Sequence, residues 1–353
     1  MTASTRILGA IAAMTLSLVL LGGVLVAFDV YLHKHFEQMG GLNTRGYRGP
    51  LAKRKQPGEQ RIVVVGESTV FGYGVPWQDA IPACLERKLN AVRRQQGKGP
   101  VSVINLAFNS EGAYGVNVTL RDYASLNYDV ALLYTGVTDL GGNNTSVFRH
   151  SSPVFRLTGY LPIFPVVFRE KAMALRYGGN LDAAYRGEPA VVRPNLAKRA
   201  TAAALEEAVR IDHFLERQLE RLLPDAATQA TAAIRGSPDC PEPWSRYCQS
   251  MATAVDYVLS QGKGAVVVRS LDISDAHAEQ QAVLTAMLHR RFPGLTLVNL
   301  GRVIDLHDRE LCYDGRHLTA KGSDRLAELL VAPMIELLDA RSQRSRLGTR
   351  LAR

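Results

Sequence analysis

With 353 residues, 46% of them hydrophobic and 21% charged, the chain is long enough for a full-sized core and ordinary in composition for a globular protein. Its formal net charge of +9 lies in the flanks: Arg6, residues 29–61 (seven basic, three acidic) and residues 339–353 (five basic, one acidic), leaving 62–338 neutral. That distribution argues against a nucleic-acid groove and suits anionic lipid headgroups.

Residues 7–28, "ILGAIAAMTLSLVLLGGVLVAF", carry no charge and as a helix span roughly 33 Å, enough to cross a bilayer's hydrocarbon core. The run is longer than a usual signal-peptide core and no clear small-x-small cleavage site follows it, so an uncleaved anchor over 1–32 is expected. The "HKH" at 33–35 reads as an interfacial basic cluster, and 33–60 as a basic tether. Strand candidates then recur at 61–66 (RIVVVG), 101–108, 129–136, 264–271 and 295–300, with helical stretches at 78–95, 276–291 and 319–338. Strands alternating with helices predict an α/β domain over 61–338, a parallel sheet of about five strands covered on both faces. A largely helical insertion at about 145–262 interrupts the alternation. It holds an amphipathic stretch at 196–223, with Leu205, Val209, Leu215, Leu219 and Leu222 near one face until Pro224. Its proline-broken apolar segment 154–168 is too interrupted to span a membrane; core packing, a lid and a membrane-dipping loop are all open for it. Residues 339–353 form a basic C-terminal tail.

Four cysteines bear on the compartment. Cys240 and Cys248 bracket "CPEPWSRYC", a loop that a disulfide could close in an oxidising compartment; two unrelated thiols is the equal alternative. Cys84 and Cys312 sit in apolar settings as expected buried thiols. Lys34, Arg45 and Arg48 follow the anchor closely, and the positive-inside rule taken alone would put the body in the cytoplasm. Weighing the two, we expect a single-pass inner-membrane protein with its body on the extracytoplasmic side.

Ligands of an open α/β sheet gather at the carboxyl ends of its strands. Ser68 falls directly after the first strand, but a serine hydroxyl needs a neighbouring base, an orienting acid and donors for an oxyanion. Asp314 and His317, three apart and just before the last helix, can supply the acid and base from one short loop. Gly112 follows the second strand in "NLAFNSEGAYG", and Gly136 and Thr138 follow the third in "YTGVTDLGGNN". Each alone is an ordinary turn. Together they point to nucleophilic chemistry. The glycines at 66, 72 and 74 have neither the dinucleotide-binding spacing nor a P-loop Gly-Lys pair.

In these blocks the sequence resembles the SGNH or GDSL-like hydrolases, from about residue 61 to 331 without the insertion. "GEST" (66–69) is similar to the first block, with Glu67 where the family has Asp; Gly112 stands for the second-block glycine. "GVTD" (136–139) is similar to the third-block G-x-N-D with Thr138 in place of asparagine, and "DGRH" (314–317) matches the D-x-x-H block. The resemblance implies a flavodoxin-like three-layer α/β/α fold and ester hydrolysis or acyl transfer without a metal or other cofactor. It implies Ser68 as nucleophile, His317 as base and Asp314 as its partner, with an oxyanion hole of the Ser68 and Gly112 N–H groups and Thr138. A threonine hydroxyl is shorter than an asparagine amide and can turn its proton elsewhere. Asn109, Asn143 or Asn144 could therefore reach into the hole instead, or activity could be low. His150, His277 and His307, with Asp272 or Asp305, are the alternative base and acid.

These residues lead us to expect a membrane-anchored serine esterase whose partners are an acyl-ester substrate and the membrane, with no nucleic acid. The substrate expected is an O-acetyl group on an envelope or exported polysaccharide, with a lipid ester as rival. An SGNH-like module of little or no activity, assembling the polysaccharide export machinery, is the reading of a different class.

Overall fold

In the computed structural model, residues 3–37, 41–141, 148–179, 195–220, 237 and 239–351 are described. Asn143, Asn144 and Pro224 lie outside them. The chain divides into two compact units, one of residues 1–37 with 152–224, the other of 38–151 with 225–353.

The first unit begins with α1 (Ala3–Glu37). Its residues from Ala12 to His35 are long and apolar enough to cross a membrane, and their apolar side chains are largely exposed. The second unit carries the sheet. Strand β1 (Gln60–Gly66) feeds the one-turn helix α2 (Ser68–Phe71), followed by α3 (Ile81–Gln95), β2 (Val101–Asn105), α4 (Ala113–Asp122), β3 (Val130–Thr135) and the single turn α5 (Phe148–Ser151). The chain then returns to the first unit for α6 (Pro153–Thr158), α7 (Phe164–Arg176) and α8 (Leu196–Glu220). Helix α9 (Ser245–Ser260), β4 (Gly264–Arg269), α10 (Asp275–Arg291), β5 (Thr296–Asn299) and α11 (Ala320–Leu351) complete the second unit.

All five strand candidates form, pair in parallel, and stand in the order β2-β1-β3-β4-β5. For the three central strands the physical reason is a β-branched sequence buried on both faces. β1, β3 and the first five residues of β4 are almost wholly buried, as strands covered on both faces must be. On one face Ile62, Val64, Leu132 and Val266 join the core formed with α3 and α11, which pack on each other. Period-two alternation turns Val63, Val65, Leu133 and Val267 to the opposite face, where α4 and α9 pack together and α10 meets β4.

Three elements differ from expectation. The segment read as a basic tether is folded at 41–49, with Tyr47 and Arg48 buried and Leu42 bridging Arg48. The last helix continues to Leu351, through the stretch read as a tail. Helix α9, inside the region read as an insertion, belongs to the sheet-bearing unit. In the first unit, His33 of the expected basic cluster is buried among its neighbours, while Lys34 and His35 are exposed.

Candidate active site

The order in which strands are laid down reverses between the parallel neighbours β1 and β3, and ligands of such sheets gather at the carboxyl ends there. Two glycines permit the close approach there. At Gly66 (φ +150°) an added Cβ would lie 1.9 Å from the Tyr134 carbonyl oxygen of β3, and at Gly136 (φ +144°) 2.0 Å from Gln281 Nε2.

Ser68 opens α2 and is half-buried. Its Oγ stands 2.9 Å from His317 Nε2, and His317 Nδ1 stands 2.6 Å from Asp314 Oδ2. The loop of Asp314 is self-supporting, because its Oδ1 also accepts the backbone N–H groups of His317 (2.7 Å) and Arg316 (3.0 Å). Burial raises the Asp314 pKa, but those three hydrogen bonds outweigh it and hold the carboxyl below its usual range. An ionised Asp314 fixes the tautomer with the proton on Nδ1, which leaves Nε2 free to accept from the Ser68 hydroxyl. Tyr73 and Tyr313 flank the imidazole at ring distances of 4.8 and 5.8 Å, and the Tyr313 hydroxyl donates to the Tyr73 carbonyl (3.1 Å).

The donor side is organised by two buried carboxylates. Glu67, next to Ser68, accepts the N–H groups of Val137 (3.2 Å) and Thr138 (2.8 Å), so the loop after β1 grips the loop after β3. Asp139 in turn accepts the Ala113 N–H at 3.0 Å, and its Oδ1 lies where a Gly112 Cβ would be only 2.9 Å away. The β3 loop thereby grips the start of α4, where Gly112 is the N-terminal flanking residue. Ser68, Gly112 and Thr138 are thus carried by three loops joined in series through Glu67 and Asp139. Burial pushes the Glu67 pKa up against the pull of the Thr138 and Val137 groups. Burial, with the charge of Glu67 nearby, raises Asp139 to about 7 against the Ala113 N–H.

The far end of α2 is satisfied by a residue of the supposed tether. The buried Arg48 guanidinium donates to the carbonyls of Phe71, Gly72 (2.5 Å) and Val75 (2.5 Å), while Asn105 Nδ2 donates to Val70 and Phe71. Sequence reasoning missed Arg48, Glu67 and Asp139 as site-building residues. The one available signal was the acid beside each block residue, in "GEST" and "GVTD".

Two of the alternative bases, His150 and His277, are engaged elsewhere. His150 bonds Asp122 (2.9 Å) and Thr119 (3.0 Å) in a buried cluster with Glu111 and Arg149. His277 is buried against Ser270 (3.3 Å), and that burial depresses its pKa. His307 is exposed and donates its backbone N–H to Asp305, while Asp272 pairs with Arg269 (3.0 Å). Asn109 lies in the β2 loop with its Oδ1 buried and unbonded.

Neither a scan against protein-family models nor a search of curated proteins finds a match. Solved structures with a similar chain path include the psychrotrophic esterase EstA from Pseudoalteromonas sp., at 9% identity and a TM-score of 0.41, covering 79% of this chain and 99% of that one. A member of the lipolytic protein G-D-S-L family from Veillonella parvula aligns at 9% identity and a TM-score of 0.39, covering 78% and 97%. The lipase/acylhydrolase from Enterococcus faecalis aligns at 12% identity and a TM-score of 0.39, covering 77% and 93%.

Proposed function

We propose that the chain is a membrane-tethered serine ester hydrolase of SGNH type, acting on the extracytoplasmic side of the inner membrane. The observation that supports it is the hydrogen-bonded line from Ser68 through His317 to Asp314 at the carboxyl end of β1. In this reading His317 Nε2 takes the Ser68 proton as Oγ bonds to the ester carbonyl carbon. The N–H groups of Ser68 and Gly112, with Thr138, meet the oxyanion. Collapse breaks the ester C–O bond, and the departing alcohol takes the proton from Nε2. Water then attacks the acyl-serine with His317 again as base, releasing the carboxylic acid and restoring Ser68. An acceptor hydroxyl in place of that water would make the same steps an acyl transfer.

The favoured substrate is an O-acetyl group on an envelope or exported polysaccharide, because an anchored body outside the inner membrane meets such glycans. A disulfide joins Cys240 to Cys248, in keeping with an oxidising compartment. The test is hydrolysis of acetyl and long-chain esters, together with fluorophosphonate labelling, by the wild type and Ser68→Ala. Wild type is expected to label and to prefer acetyl, and Ser68→Ala to lose both activities while remaining folded. Unchanged turnover in Ser68→Ala would remove Ser68 as nucleophile, and a strong long-chain preference would replace the glycan by a lipid.

One observation favours the second reading, a weak or inactive assembly module. Thr138 is bound to Glu67 through its backbone, and its hydroxyl also lies against that carboxylate, which draws the proton away from a substrate. A wild-type chain that resists fluorophosphonate would support that reading.

A further inference from the structure

Asp29 is the first charged residue after the apolar run, and the first unit buries it almost completely, at 1% exposure. Besides His33 on its own helix (3.4 Å), its partners come from the α6–α7 connection. Oδ1 accepts the N–H groups of Ile163 (2.8 Å) and Phe164 (2.7 Å), and Oδ2 accepts the Tyr160 hydroxyl (2.5 Å). His33, one turn along α1, adds a contact from Nε2 to the Leu161 carbonyl (2.9 Å). The first N–H groups of a helix have no partner within it, and Ile163 gives α7 no side-chain cap. Asp29 supplies that cap from another helix, an acid at the end where the helix dipole favours one.

The clamp fixes depth. Asp29 lies six residues before the end of the candidate span at His35, about 9 Å inward at helical rise. Residues 160–164 must lie at that level, where interfacial helices bury their apolar sides roughly 5–10 Å into the headgroup and acyl boundary. Aromatic rings mark the same level: Phe28 lies 5.9 Å from Phe168, Phe168 lies 5.8 Å from Phe164, and Tyr31 stacks on Phe28 and His35. Leu157 on α6 stands 57% exposed. The charges suit anionic headgroups, because residues 153–176 hold Arg156, Arg169 and Lys171 against Glu170, while Arg176 pairs with Glu206 of α8 (2.5 Å).

We infer that residues 153–176 form an interfacial foot, clamped to the anchor by Asp29 and seated on an anionic bilayer surface. The inference rests on α1 spanning the membrane, and the experiment separates the two. The full chain is reconstituted with phosphatidylcholine vesicles, with or without phosphatidylglycerol, and flotation is scored first. A Leu157→Trp variant is then exposed to brominated lipid and to aqueous iodide. Trp77 and Trp244, which belong to the sheet-bearing unit, give the wild-type background. The variant's added emission is expected to be blue-shifted, quenched by bromolipid and shielded from iodide, more so with phosphatidylglycerol. Asp29→Ala in the same variant is expected to restore iodide access while flotation persists. A chain that does not float overturns both the anchor and the foot. A floating chain whose added emission is open to iodide and untouched by bromolipid overturns the foot alone. Equal quenching in both lipids removes the charge preference, and indifference to Asp29→Ala removes the clamp.

Discussion

At the level of single residues, the consequential departure from the familiar pattern is a coupled one. Thr138 stands where an asparagine amide is expected, and Glu67, one methylene longer than aspartate, holds the Thr138 backbone. A carboxylate can accept from Val137 and Thr138 at once, whereas a glutamine offers one acceptor and turns an NH₂ toward the other N–H. Glu67→Gln should therefore displace the β3 loop and lower kcat by between about tenfold and hundredfold, with KM little changed. In a Thr138→Ala background the same change should have a smaller effect, because the backbone N–H is still held by Glu67 but the hydroxyl that the β3 loop positions is gone. Additive effects in that double-mutant cycle would show that Glu67 acts on something else. Asp139 makes a prediction about pH. Its folded pKa, about 7, lies above the ordinary 3.8, so the fold favours the protonated form. The stability it contributes is full below about pH 4 and is lost as pH rises through about 7. The Asp139→Asn side chain would keep an oxygen for the Ala113 N–H without ever ionising. The unfolding free energy of wild type, from denaturant titration, should fall more steeply than that of Asp139→Asn between pH 4 and 8, by a difference of at most about 4 kcal/mol. Parallel curves would mean that Asp139 does not carry that proton.

Among the elements, the sheet was legible in the sequence because β-branched runs such as "RIVVVG" have few alternatives in a chain of this length. The Ser68–His317–Asp314 line was legible for a related reason: strand ends collect functional groups, and all three residues sit at loops that the pattern already placed. Helix α4 was harder to read, since its N-terminal flank is Gly112 and its cap comes from Asp139 on another loop. Arg48 was misplaced because a basic residue in a Gly-rich stretch looks solvated. Nothing local announces that its guanidinium will take up the carbonyls beyond a one-turn helix 23 residues later. Its role yields a test on α2. Arg48→Met keeps the packing on the Phe71 ring, where the guanidinium carbon now sits 4.5 Å from the centroid, but leaves the Phe71, Gly72 and Val75 carbonyls without that donor. Burial already lowers the arginine pKa to about 10, so part of the loss is recovered by no longer burying a charge. The expected net loss is about 1–3 kcal/mol in urea denaturation, with a fall in turnover as the α2 end loosens. A variant as stable and as active as wild type would remove Arg48 from the support of Ser68.

For the whole molecule, compartment is the property on which the proposed substrate depends most, and the cysteines report it. Charge alone favours a cytoplasmic body, since basic residues follow the candidate span, yet Arg48 is buried and bonded to backbone carbonyls. A basic side chain consumed by the fold remains a charge to the translocation machinery, so its burial does not by itself reverse the rule. The Cys240–Cys248 bond is a more direct indicator, because cytosolic thiols are kept reduced. The remaining two cysteines, Cys84 and Cys312, are buried free thiols. Protein taken from its native source and denatured under trapping conditions should therefore expose two titratable thiols, rising to four after reduction. Four thiols before reduction would put the body in a reducing compartment and remove the exported glycan as substrate. The bond should also matter to the fold: closing a loop with a sequence separation of eight constrains the unfolded chain by about 2.5 kcal/mol. Replacing both Cys240 and Cys248 by Ala should lower stability by at least that amount, since both side chains are buried and leave space behind. Reductant should destabilise wild type and leave the double variant unmoved, which separates loss of the bond from loss of packing.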